Sequence, residues 1–292
     1  MRKWIVAVWC CAIGFSASAN ASQILRAPTF TTTHAIIDYL YEQLQLAIEA
    51  TQEDFGEMKV VRVKVPVEEE RQLRNLNEDI ADIAWATCTR ERNQDYTPIA
   101  VPSTAGLFGI RLAVVRQDDN NITQVNSLPA LQKFVAVQSS KWRDFMVLQR
   151  NGITVLASDR FSAYRAVERG LADFYPRGAA EITEEMAAAN VPQLTIAPNF
   201  ALRYPVFFIL YVKKDNTALA ERLTAGFERT LQSGEFKALL NDKPWFREAK
   251  QLVQHRVFID LENHEANADC MKAGQYVPNL LSQGNLNSDT LG

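Results

Sequence analysis

Few residues of this chain have the types and spacing to do chemistry. Thr87, Thr89 and Arg92 follow one another closely after a short apolar stretch, residues 81–86 (ADIAWA). Two hydroxyls and a guanidinium at such a place can hold an anion, because the planar guanidinium fork makes two parallel hydrogen bonds to a carboxylate. Taken alone, Arg90-Glu91-Arg92 reads first as a charged run on a solvated face, the usual place of such runs. Ser139 and Ser140 stand just before a helical pattern, where they cap the helix and offer donors to an anion; a plain cap without a ligand has the same sequence. Arg177 lies in the run Tyr175-Pro176-Arg177-Gly178, which reads as a tight turn. Read from the residues alone, its side chain points to solvent or pairs with Glu181 in the following helix. Trp85 and Phe30 are aromatic rings that could wall a ligand, with burial in the core as the other reading of Trp85.

Catalytic and metal chemistry find little to stand on. The three histidines, His34, His255 and His264, are far apart, and no HExxH or Cys/His cluster occurs, so neither a metal nor a cofactor is expected. No G-x-S-x-G, G-x-G-x-x-G or Walker pattern is present. Cys88 has no general base beside it in sequence, so a thiol nucleophile is not expected and the chain reads as a non-enzyme.

The N-terminus argues for export. Arg2 and Lys3 precede an apolar run, residues 4–15, that is too short to span a bilayer, and Ala19-Asn20-Ala21 supplies a small-x-small exit. Residues 1–21 are therefore expected to be a cleaved signal peptide, which places the mature chain in the periplasm with no membrane insertion. Two cysteines remain, Cys88 and Cys270; in an oxidising compartment they form either one disulfide or two separate thiols. Of the 31 basic residues two belong to the leader, so the mature chain carries excess negative charge against its 34 acids. That excludes nucleic acid as an expected partner.

The elements that would position these residues alternate between short apolar runs and amphipathic stretches. Strands are expected at 23–27, 58–65, 81–86, 109–115, 134–138, 153–156, 172–175, 194–197 and 206–212. Between them Ile36, Leu40, Leu44 and Ile48 recur at helical spacing behind a Thr33 cap, and Leu219, Leu223, Phe227 and Leu231 mark a long helix. Such alternation predicts an α/β fold with mostly parallel sheets flanked by helices. From about residue 264 large apolar residues become scarce, which reads as a polar surface tail.

At three places the sequence resembles the type II periplasmic solute-binding proteins, in particular the amino-acid-binding group, bacterial extracellular solute-binding family 3. The first is Asp82-Ile83-Ala84-Trp85-Ala86-Thr87 followed by Thr89-Arg90-Glu91-Arg92, similar to the family's strand and T-x-E-R turn. The second is Arg169-Gly170-Leu171-Ala172-Asp173, similar to its G-x-x-D. The third is the strand at 206–212 with its following helix and Gly234-Glu235-Phe236. The resemblance covers about residues 23–260 and marks a divergent member.

The resemblance implies a two-lobed protein. Lobe 1 would hold residues 22–112 and 207–292, lobe 2 residues 113–206, with a two-segment hinge near Val114 and Val206. A small-molecule ligand would sit in the cleft between them, and the monomer would deliver it to an ABC-type inner-membrane permease or present it to a sensor protein. Arg92 would grip a ligand carboxylate with Thr87 and Thr89, flanked by Trp85 and Phe30; Ser139, Ser140, Tyr175 and Arg177 would face them from lobe 2. Gly178 stands where amino-acid binders carry an aspartate for the ligand ammonium. Arg92 and Arg177 together therefore imply a polar, anionic or carboxylate-bearing ligand, not a zwitterion.

Overall fold

A computed structural model describes residues 23–30, 35–66 and 68–281. The expected leader, the Thr33 cap and residues 282–292 lie outside them. In chain order the first elements are β1 (Gln23–Thr29), α1 (Ala35–Glu49), α2 (Gln52–Phe55), β2 (Met58–Pro66), α3 (Glu69–Asn77), β3 (Ile83–Thr87), α4 (Arg90–Asp95) and β4 (Tyr96–Ile99). Next come β5 (Ile110–Arg116), α5 (Leu128–Leu131), β6 (Val135–Gln138), α6 (Arg143–Arg150), β7 (Thr154–Ala157), α7 (Arg160–Glu168), β8 (Phe174–Gly178), α8 (Ile182–Ala189), β9 (Leu194–Ile196) and β10 (Phe200–Arg203). The chain closes with β11 (Phe208–Lys213), α9 (Thr217–Ser233), α10 (Glu235–Asp242), α11 (Pro244–Val253), β12 (Val257–Asp260), α12 (Ala268–Gly274) and α13 (Val277–Leu281).

The first lobe is built on β1–β4 and β11. β1 and β2 run parallel, with Leu25 opposite Val60, while β11 lies antiparallel between β3 and β4. The Asp82 amide donates to the Arg26 carbonyl at 2.9 Å and sets β1 beside β3. Beyond that contact the two strands part. The amides of Trp85 and Thr87 on the opened edge are taken by Gln72 Oε1 and Glu69 Oε2 of α3, each at 3.1 Å. A buried edge amide needs an acceptor, and α3 supplies it with side chains instead of backbone. On α1 the residues Leu40, Leu44, Ala47 and Ile48 are buried, the face that its spacing predicts.

The second lobe has a sheet in the order β12-β10-β5-β8-β6-β7, with β9 also paired to β5. β6 is parallel to β7 and β8, as expected of strands joined by crossover helices, whereas β5 is antiparallel to β8, β9 and β10. The two lobes are joined where the chain crosses at Gly109 and again at Tyr204–Phe207, and the Tyr204 amide donates to the Gly109 carbonyl at 3.0 Å. A Cβ on residue 109 would lie 2.6 Å from the Tyr204 carbonyl oxygen, so the strands approach this closely only with glycine there. The outgoing crossing is thus at Gly109 and not at Val114, which lies inside β5 between Tyr175 and Ile196.

The C-terminal segment departs from the sequence reading. β12 does not stay with the first lobe: it pairs in parallel with β10, Phe200 opposite Val257 through Arg203 opposite Asp260, and forms the edge of the second sheet. The chain thus reaches β12 by a third crossing and returns to the first lobe by a fourth. Nor are residues 268–281 a surface tail. They form α12 and α13 and bury Cys270, Ala273, Leu280 and Leu281. The physical reason is a covalent anchor, a Cys88–Cys270 disulfide, supported by small residues that pack closely, such as Gly274 against Phe207. Among the described residues no helix is long and apolar enough to cross a membrane.

Candidate ligand cleft

On the first lobe the residues singled out in sequence do come together. β3 ends at Thr87, Cys88 is pinned by its disulfide and by the hydrogen bond its backbone N–H donates to the Phe207 carbonyl, and Thr89 caps α4 by accepting the Arg92 amide at 3.2 Å. This turn aims Arg92 back along the end of β3. Its Nη1 donates to the Thr87 carbonyl at 2.6 Å and to Glu69 Oε2 at 2.8 Å, and its Nη2 donates to Glu70 Oε1 at 2.5 Å. Burial alone would lower the guanidinium pKa, but the facing Glu69 and Glu70 carboxylates outweigh it and hold the group raised. For Glu70 burial works upward, and the hydrogen bond and charge of Arg92, with the charges of Arg143 and Arg74, bring it below its ordinary value.

Trp85 is a core residue. Its ring is fully buried, with Phe30 at 5.7 Å and Tyr41 at 5.4 Å between centroids, so it supports the turn from beneath and does not line it. Phe30 is partly exposed beside it. Thr89 has its hydroxyl committed to the cap.

On the second lobe Arg177 is not in a turn, because β8 runs through Pro176 and Arg177 to Gly178 opposite β5. Its guanidinium is buried and paired bidentately with Glu185, Nε to Oε2 at 2.5 Å and Nη2 to Oε1 at 2.6 Å, with Glu181 at 3.4 Å. Arg160 and Tyr164 complete the carboxylate's shell. Trp142 lies over the guanidinium at 4.6 Å and Tyr175 at 5.2 Å. Tyr175 is wholly buried against Tyr164 and has no exposed face. Ser139 and Ser140 do not cap α6, whose N-cap position is Trp142. Ser139 is buried and its Oγ accepts the Lys141 amide at 3.4 Å, while Ser140 is exposed.

The expected pair of free cations is therefore absent from both lobes: Arg92 and Arg177 each lie in a separate cluster, neutralised by the chain's own carboxylates. The residues that sequence reading missed are Glu69, Glu70 and Glu185. Glu69 and Glu70 lie in the first turn of α3, and two acids at such a place next to an arginine-bearing turn are the signal that points to them.

Between the lobes stands Arg143, the first residue of α6. It faces Glu70 of α3 at 3.8 Å, Glu91 of α4 at 3.5 Å and Glu265 of the segment between β12 and α12 at 3.3 Å. A cavity of about 260 Å³ opens here, lined by Thr89, Glu91, Gln94, Arg143 and Glu265 among others. At the hinge Arg111 of β5 binds Asp144 at 2.7 Å and Tyr204 at 3.0 Å, and the Tyr204 hydroxyl also donates to Asp144. This buried triad ties both crossings to α6. Among the described residues no group of three His, Cys, Asp or Glu is placed to hold a metal ion.

Two α/β lobes joined by side-by-side crossings, with strand ends and helix N-termini facing across a cleft, define the fold of the two-lobed periplasmic solute-binding proteins. Solved structures share it. The probable amino-acid ABC transporter extracellular-binding protein YtmK of Bacillus subtilis matches with a TM-score of 0.57 at 14% identity, over 75% of this chain and 96% of that one. A Salmonella typhimurium periplasmic binding protein described as highly specific for arginine matches with a TM-score of 0.52 at 16% identity, over 75% and 98%. A mutant of ArgBP from T. maritima matches with a TM-score of 0.52 at 20% identity, over 77% and 95%. No family model and no curated protein sequence matches the chain.

Proposed function

We propose that this chain is an exported, monomeric solute-binding protein that captures a small polar, carboxylate-bearing molecule between its lobes and passes it to an ABC-type permease, without catalysis. The observation that carries the reading is the end of β3, where a guanidinium, a backbone amide and a hydroxyl converge on one carboxylate. Arg92 Nη1, the Thr87 amide and the Thr87 hydroxyl all donate to Glu69. This donor set recognises a carboxylate by shape as well as charge. The fold supports a binding role, since the solved neighbours are named as binding proteins.

A thermal-shift screen of amino acids and small organic acids on residues 22–292 tests it. A true ligand raises the melting temperature progressively with concentration. Arg92→Lys keeps the charge, loses the fork, and is expected to weaken that ligand about 10- to 100-fold, the worth of one charge-assisted hydrogen bond. A screen in which nothing raises the melting temperature, or a ligand that Arg92→Lys binds unchanged, would end the reading.

A further inference from the structure

We infer that Glu69 is a tethered occupant of the carboxylate site, so that a free carboxylate reaches Arg92 only by displacing it. This rests on the reading of the cleft as a solute site and adds what controls access to it. The Glu69 carboxylate accepts from Arg92 Nη1 at 2.8 Å, from the Thr87 amide at 3.1 Å and from the Thr87 hydroxyl at 3.2 Å. Those three donors form a complete anion site, and a residue of the same chain fills it.

Three further observations fit an exchangeable occupant. The Arg92 side chain is 6% exposed but that of Glu69 is 34% exposed, so the carboxylate has a way out to solvent while the guanidinium stays walled. With Glu70 on Nη2, one guanidinium already faces two carboxylates, and a third would be repelled unless one leaves. The Nε of Arg92 is buried without an acceptor, so the fork retains one unused donor for an incoming group. Exchange of a carboxylate 34% exposed for an external one replaces like with like, so the buried guanidinium is not left without a counter-charge. Glu70, the next residue, faces Arg143 of the second lobe at 3.8 Å, so movement of the first turn of α3 also loosens a contact across the cleft.

The test uses sodium acetate as a minimal carboxylate, against sodium chloride at equal ionic strength. Glu69→Gln keeps an oxygen to accept from Thr87 but removes the charge; Glu69→Ala is the second variant if that glutamine still blocks the site. Acetate is expected to raise the melting temperature of one or both variants saturably, with an apparent affinity about 10-fold or more above that of the unaltered chain. The gain should vanish when Arg92→Lys is added. In parallel, Arg92 should react faster with phenylglyoxal in the variants, read by peptide mass spectrometry, and acetate should protect it. Equal acetate responses in the unaltered chain and both variants, or unchanged Arg92 reactivity, overturns the inference. The two readings fail separately. If the unaltered chain binds a solute through Arg92 but the variants gain nothing, the tethered occupant is wrong and the uptake role stands. If the variants gain acetate binding and the unaltered chain binds no solute, the reverse holds.

Discussion

Glu185 is a carboxylate enclosed by guanidiniums and a phenol, and its surroundings set a measurable acid sensitivity. Burial alone would raise its pKa; Arg177 and Arg160 reverse that and hold it at about 2. A carboxyl depressed in the folded state contributes stability that is complete above its ordinary value near 4.5 and is lost as the pH falls towards 2. Urea unfolding between pH 5 and about 2 should therefore show a steepening acid limb. Glu185→Gln should flatten that limb and cost about 3–5 kcal/mol at neutral pH, because it leaves Arg177 buried with only the more distant Glu181. An unchanged acid limb in the variant would mean that the pair is not formed. Sequence reading offered Arg177 three fates, a cleft-facing cation, a solvent-facing one or a partner of Glu181. The structure has Glu181 at 3.4 Å and places the main partner, Glu185, one helical turn onward. That shift was illegible because Pro176 and Gly178 look like turn residues, whereas here they sit in a strand next to β5, whose pairing is long-range.

At the scale of elements, legibility followed local pattern. α1, β2 and α9 announced themselves by periodicity, and β3 with its capped turn by apolar run and hydroxyls. β10 and β12 did not, since a strand of four residues has little periodicity and these two are defined by each other across the chain. Close approach of α9 to α1 was likewise invisible. It depends on Gly226, where a Cβ would sit 2.1 Å from the Ala47 carbonyl oxygen. Gly226→Ala raises intrinsic helix propensity and would stabilise an isolated helix by up to about 1 kcal/mol. Within this protein it is expected to destabilise by about 1–3 kcal/mol, because the helices must separate. Urea denaturation gives the sign directly, and a stabilised variant would show that α1 and α9 are not in backbone contact.

For the molecule as a whole, the third and fourth crossings, to β12 and back, change what holds the lobes together. Two crossings at Gly109 and Tyr204–Phe207 make a hinge. The return of the chain through β12 to α12 adds a strap, with Glu265 paired to Arg143 and its carbonyl accepting the Arg90 amide at 3.0 Å. The strap ends on the Cys88–Cys270 disulfide, directly behind the turn that carries Thr87, Thr89 and Arg92. The sequence offered Cys88 and Cys270 as one disulfide or two thiols, without showing that they meet, since 182 positions separate them. A crosslink closing so long a loop removes much unfolded-state entropy, and native disulfides of this kind contribute about 2–5 kcal/mol. The double variant Cys88→Ser, Cys270→Ser is expected to lose that amount in chemical denaturation, and dithiothreitol should lower the unaltered chain to the same level while leaving the variant where it is. The loss should appear at the cleft as well as globally: hydrogen exchange at the Thr89–Arg92 amides should quicken more than at β6 in the distant part of lobe 2. Equal changes at both places would mean that the disulfide stabilises the chain without specifically anchoring the binding turn.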